Sequence, residues 1–100
     1  MRQRAAKHHS GDTLVLSPVL DLRAAAPLAA AILTAHGNQL VLDGSNVEKV
    51  GAQCLQIIVS ARKTWERDGL SLSIANPSRE LEEAFAIAGL SIMSYIDKGC

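Results

Sequence analysis

Apolar and polar positions along this chain follow two different periods, and the shorter one predicts strands. Short apolar runs predict strands at residues 13–16, 19–20 and 39–43. Residues 70–74 alternate strictly between an apolar residue and a serine, as a half-exposed strand does, which should turn Ser71 and Ser73 outward. The run at 39–43 is mostly apolar, which favours a central strand covered on both faces.

The longer period, with apolar residues three and four positions apart, predicts three helices. The first is capped by Asp21 and runs from Leu22 to a stop at His36 and Gly37. The second spans about 52–67, with one row that contains Leu55, Ile58, Val59, Arg62 and Trp65. A third is predicted with Asn76 as its cap, Pro77 in its first position and Gly89 after its end. Residues 90–96 fit either an edge strand or a short terminal helix.

Strands separated by helices require crossover connections, which favour a largely parallel sheet. The prediction is therefore an α/β domain with a mixed, mostly parallel sheet of four to five strands and packed helices. One hundred residues fit one domain. Residues 1–9 carry three basic residues and two histidines with no acid, so residues 1–10 are expected to be a flexible extension and residues 11–100 the domain.

Charge and composition exclude several functional classes. The chain has 10 basic and 10 acidic residues, and residues 10–100 alone have 7 and 10, so a dedicated nucleic-acid binder is not expected. No apolar run is long enough to insert into a membrane, and no export signal is recognisable, which predicts a cytoplasmic protein. The two cysteines form no metal-ligand spacing, and no cofactor is expected.

Catalytic motifs are not recognisable in the sequence, because it contains neither a phosphate-binding glycine loop nor a nucleophile elbow. Asp43 ends the predicted central strand, where open α/β sheets bind ligands. The favoured interpretation is that it shapes the turn into Gly44 or caps backbone amides. Residues 51–55 enter a helix, whose start offers free backbone N–H groups to an anion or a polar partner. An enzyme and a nucleotide-binding domain are the alternatives from other classes.

A set of short motifs, in register from Leu42 to Gly89, resembles the STAS family, the anti-sigma-factor-antagonist-like domains of bacteria. The matching segments are Val41-Leu42-Asp43, Ser45 to Val50, Gly51-Ala52-Gln53-Cys54-Leu55, Ala61-Arg62, Gly69-Leu70-Ser71-Leu72, Asn76-Pro77-Ser78 and Gly89-Leu90. The resemblance implies the STAS fold and a role in binding a protein partner. The segment Gly51 to Gln56 is most similar to the single-domain STAS proteins of alphaproteobacterial chemotaxis operons, which implies a chemotaxis histidine kinase as the partner.

One position departs from the regulated members of that family. In those members a serine or threonine at the helix start is phosphorylated, and by register this position is Ala52, which has no hydroxyl group. The resemblance therefore implies a non-enzymatic binding module without that switch. The candidate partner contacts are Ser17, Asp43, Ser45, Gly51, Ala52, Gln53 and Arg62. A STAS subunit docking on a transporter ATPase, or an anti-sigma-factor antagonist, is the alternative.

Overall fold

The computed structural model describes residues 11–96, which form five strands, three α-helices and a short 3₁₀ helix. In chain order these are β1 (Gly11–Val15), β2 (Val19–Leu20), α1 (Leu22–Thr34), β3 (Gln39–Asp43), β4 (Lys49–Val50), α2 (Ala52–Arg67), β5 (Leu72–Ala75), α3 (Arg79–Ile87) and the 3₁₀ helix Ile92–Tyr95. The α/β fold class predicted from the sequence is confirmed. The extension predicted for residues 1–10 lies outside the described residues.

The strands form two parallel sheets rather than a single one. The larger sheet has the order β1-β3-β5, so Gln39–Asp43 is its central strand, as predicted. The smaller sheet joins β2 to β4. Every strand pairing is parallel, because a helix lies between the paired strands in the chain and returns it to the starting end of the sheet. This helix is α1 for the pairs β1–β3 and β2–β4, and α2 for the pair β3–β5.

One face of the larger sheet carries the core. Leu40 and Leu42 of β3 and Leu72 and Ile74 of β5 are buried, and α1 and α2 pack against each other over them. The opposite face is less covered, since Val41 is only half-buried there, so the prediction that both faces of β3 are covered is wrong. A central position in a sheet secures the backbone hydrogen bonds of a strand without requiring a second layer of helices.

Burial in β5 also differs from the strict alternation of its sequence. Ser71 is exposed as predicted, but Ser73 is only 9% exposed and more buried than Leu70. Ser73 lies beside Val41 of β3, and on the other side of β5 a parallel bridge joins Ile74 to Ile96. A serine is small, so side chains on both neighbouring segments leave it little surface to expose.

Helix ends follow the local capping chemistry, with one correction. The Asp21 carboxylate accepts a hydrogen bond from the backbone N–H of Ala24 at 3.1 Å, so Asp21 caps α1 as predicted. The start of α3 was predicted wrongly, because Ser78 rather than Asn76 is its cap, and the Ser78 hydroxyl accepts from Leu81 N–H at 3.1 Å. Asn76 instead has a φ of 51°, a turn conformation that asparagine tolerates better than most residues.

Residues 90–96 resolve the choice that the sequence left open. Residues Ile92–Tyr95 form the 3₁₀ helix, and Ile96 then makes a single parallel bridge to Ile74 at the edge of β5. The segment packs its Tyr95 ring edge-on against Phe85 of α3, with the ring centroids 5.0 Å apart. The terminal segment thus closes the end of the core beside α3.

Candidate functional site

Backbone hydrogen bonds join the loops that follow β1 and β3 at one edge of the sheet. The N–H of Leu16 donates to the carbonyl of Asp43 at 2.9 Å, which holds the loop of Ser17 beside the end of β3. The Pro18 carbonyl accepts from the N–H groups of Glu48 and Lys49 at 2.7 and 3.1 Å. These loops therefore form one continuous surface leading into α2, and Ser17 and Ser45 are exposed on it.

Asp43 shapes the turn that follows β3. One of its carboxylate oxygens accepts a hydrogen bond from the backbone N–H of Ser45 at 3.0 Å. The pKa of the Asp43 carboxyl is held below its ordinary value, first by that backbone hydrogen bond, then by the Ser45 side chain, with a smaller contribution from the Asn76 side chain. The geometry gives Asp43 the turn-shaping role, and the residue is half-buried.

The lowered pKa of Asp43 predicts a stability difference that depends on pH. A depressed carboxyl pKa stabilises the fold above the unfolded-state value of about 3.9, and that contribution is lost as pH falls through the folded-state value. We expect Asp43→Asn to be less stable than wild type at pH 7, with a smaller gap at pH 3, below the unfolded-state value. Urea unfolding at both pH values tests this, and Asp12→Asn, an exposed carboxylate in β1, is the control. A gap as large at pH 3 as at pH 7 would show that the carboxylate charge is not the cause.

The start of α2 presents a short exposed segment. Gly51 precedes the helix, and its N–H donates to the Leu20 carbonyl at 2.7 Å, which ties the helix start to β2. Ala52 and Gln53 are exposed. Cys54 and Leu55 are buried, as predicted. No side chain caps this helix start, so the N–H groups of its first turn lack the protein partner that the first turns of α1 and α3 have.

Arg62 does not join the other candidate residues. It lies ten residues into α2, about 15 Å along the helix axis from Ala52 at about 1.5 Å per residue. Its guanidinium lies 4.3 Å from the centroid of the Tyr95 ring and donates to Glu66 at 3.1 Å and to Ser94 at 3.2 Å. Through these contacts Arg62 holds the terminal 3₁₀ helix against α2.

Two features near this edge were missed by the sequence analysis. Val47 lies in a polar loop but is buried, and its N–H donates to the Gly44 carbonyl at 3.3 Å. An apolar residue between Asn46 and Glu48 was the available signal. The second feature is a groove between the α2 start and α3, whose walls come from segments about 30 residues apart in the chain.

Other reactive or ligand-binding groups are few in the described part of the chain. Within residues 11–96 no group of three or more His, Cys, Asp or Glu side chains is placed to hold a metal ion. Burial raises the pKa of the Cys54 thiol, with the Asp21 carboxylate adding to the effect, and a raised pKa disfavours the thiolate form. None of the helices described there has both the length and the apolar composition needed to cross a membrane.

Comparison with known proteins supports the resemblance seen in the motifs. The family model described as "Mlab, STAS domain" matches residues 4–95. Searches of curated proteins and of solved structures found no significant match. Because the family match covers most of the chain and agrees with the α/β order of its elements, the chain belongs to the STAS-domain family.

Proposed function

We propose that this STAS domain is a non-enzymatic protein-binding module of bacterial signalling that binds a chemotaxis histidine kinase. STAS domains are in general non-catalytic modules that mediate protein–protein interactions. The histidine kinase is suggested by the similarity of residues 51–56 to STAS proteins of chemotaxis operons. The cytoplasm, where such a kinase domain is located, is the proposed compartment.

The observation that carries the proposal is the exposed, uncapped start of α2. Ala52 and Gln53 contribute neither to the core nor to a cap, although they occupy the first turn of the longest helix. The N–H groups of that turn favour an acceptor group, and the loops of Ser17 and Ser45 extend the same surface. A partner that covers this edge would bury an existing polar surface rather than disrupt the fold.

Ala52 determines how such binding would be regulated. Phosphorylation adds about −1.5 to −2 charges and requires a hydroxyl group, which alanine lacks. The preceding residue is Gly51, whose backbone lies close to the Leu20 carbonyl. A Cβ added there would lie only 3.3 Å from that oxygen, so a residue without a side chain suits the position. The proposed module therefore binds its partner without a phosphorylation switch at position 52.

Gln53→Glu tests the proposed surface. The substitution places a charge in the contact, and desolvating an unpaired charge is costly, so binding should weaken at least about tenfold, or about 1.4 kcal/mol. The fold should tolerate it, because an acidic residue suits a helix N-terminus. Isothermal titration calorimetry of the full chain with the purified chemotaxis histidine kinase of the source organism measures the affinity, and a thermal melt checks the fold.

Gln39→Glu is the matched control, because it makes the same chemical change at an exposed residue. Gln39 begins β3, so it lies at the amino-terminal end of the strands, opposite the end that leads into α2. Its affinity should equal that of wild type. Equal affinity of Gln53→Glu and wild type would place the interface elsewhere on the domain. If wild type binds a transporter ATPase or an anti-sigma factor in this assay and not the kinase, the partner proposed here is wrong.

A further inference from the structure

A groove of about 490 Å³ separates the start of α2 from α3. Its apolar wall includes Val50 of β4 together with Ala84 and Ile87 of α3. Ile87 is 87% exposed, which leaves a large apolar side chain in water at the end of a nine-residue helix. The groove borders Gly51 and Ala52 and so continues the surface proposed above to bind a protein.

The charged residues that line this groove all have the same sign. Glu48, Glu80 and Glu83 lie along it, and its described lining contains no basic residue. Lys49 follows Glu48 and begins β4. Because successive side chains of a strand point to opposite faces, Lys49 points away from the side on which Val50 lines the groove. The ion pairs found within residues 11–96 lie elsewhere, between His36 and Asp68 and between Arg62 and Glu66.

Helix stability explains only part of this charge. Glu80 is in the first turn of α3, where a carboxylate is favoured by the helix dipole. Glu83 is one turn further along, and Glu48 lies in the loop before β4, so neither gains from that dipole. Three acids around an exposed isoleucine repel one another in the isolated domain, whereas a cationic apolar segment would neutralise them and cover Ile87.

We infer that this groove binds a segment of the protein partner that presents apolar side chains flanked by lysine or arginine. The inference rests on the proposed function, since it names the chemistry of the partner at the same surface. The domain of a second copy is a poorer occupant, because its residues 10–100 contain 10 acidic and 7 basic residues. Nucleic acid is excluded as an occupant by the sign of the charge.

Two designed peptides test the groove without the natural partner. Both are 14-residue amphipathic helices with the same leucine pattern, flanked by lysines in one and by glutamates in the other. The lysine peptide, added to the ¹⁵N-labelled full chain, should shift the amide resonances of Val50, Ala84 and Ile87 in a saturable manner. The glutamate peptide should not. Raising the salt concentration from 0.05 to 0.5 M should weaken binding of the lysine peptide several-fold, because the Debye length falls from above about 10 Å to between about 3 and 10 Å.

Charge reversal on α3 supplies the matched variants. Glu83→Lys should weaken the lysine peptide about tenfold, whereas Glu82→Lys, the same change at an exposed neighbour outside the groove, should weaken it less than threefold. The amide spectrum of each variant shows directly whether it is folded. Equal responses to both peptides, shifts outside the groove, or equal effects of the two variants would overturn the inference.

These results are separable from the test of the proposed function. If the kinase binds wild type and Gln53→Glu weakens it, while the lysine peptide leaves the groove unshifted, the binding module stands and the cationic segment is rejected. If the peptide binds in the groove and no kinase binds, the groove chemistry stands and the proposed partner is rejected.

Discussion

Trp65→Ala is expected to lower the free energy of unfolding by about 3–5 kcal/mol, a large part of the 5–15 kcal/mol typical of a small domain. The side chain is 1% exposed, so the substitution leaves a large cavity between α1, α2 and the sheet. It also removes the hydrogen bond that the indole N–H donates to the Asn38 carbonyl at 2.7 Å, and the edge-on contact with the His36 ring at 5.3 Å. Urea denaturation followed by circular dichroism measures the loss.

Two further variants separate the causes of this loss. Trp65→Phe keeps most of the apolar volume but not the indole N–H, and it should cost less than half as much as Trp65→Ala. Leu33→Ala on α1 removes an apolar side chain that is 71% exposed, and it should change stability by less than about 0.5 kcal/mol. A loss below about 1 kcal/mol for Trp65→Ala would contradict the packing described for α2.

Gly44→Ala is expected to destabilise the fold by about 1–3 kcal/mol, the usual cost of overpacking a filled site. A Cβ at Gly44 would lie 2.6 Å from Cδ2 of Leu81 and 3.4 Å from the Cα of Pro77. Leu81 is fully buried, so its side chain has little room to move aside, and the hydrogen bond from its N–H to the Ser78 hydroxyl holds its backbone in place. Thermal unfolding of the variant gives the loss, with Asn46→Ala, at an exposed position of the same loop, as the control.

A double-mutant cycle identifies Leu81 as the obstacle. In a Leu81→Ala background the added methyl group of Gly44→Ala would enter vacated space, so its cost should shrink or change sign. If the cost is the same in both backgrounds, the clash with Leu81 is not its origin, and the backbone contact with Pro77 becomes the explanation.

Periodicity predicted those parts of the fold whose signals are local. The bounds of α2 were predicted correctly, because Gly51 precedes the helix and Asp68 and Gly69 follow its mostly apolar row. The central position of β3 was predicted from the apolar run that it carries. The start of α3 was not, since Asn76 and Ser78 are both good caps and only the backbone conformation decides between them.

Long-range contacts were beyond the reach of sequence patterns. Nothing local indicates that Gly44 touches Leu81, or that Glu48 and Glu83 line one groove. The candidate surface was predicted through the family motifs, and the structure brings Ser17, Asp43 and Ser45 together near the α2 start while it places Arg62 beside the terminal 3₁₀ helix. Whether these residues contact a partner stays a prediction.

The parallel pairing of the larger sheet has a consequence for how the chain reaches its native state. Gly11 pairs with Gln39 and Leu40 with Leu72, partners that are 28 and 32 residues apart, so the sheet contains no hairpin that could form early and template the rest. Each pairing must first close a loop that contains a whole helix, and the entropy of that closure is lost before any strand contact compensates for it. The docking of α1 and α2 against unpaired strands should therefore limit the rate of folding. The folding barrier should depend on the sequence separation of the contacting residues rather than on helix formation.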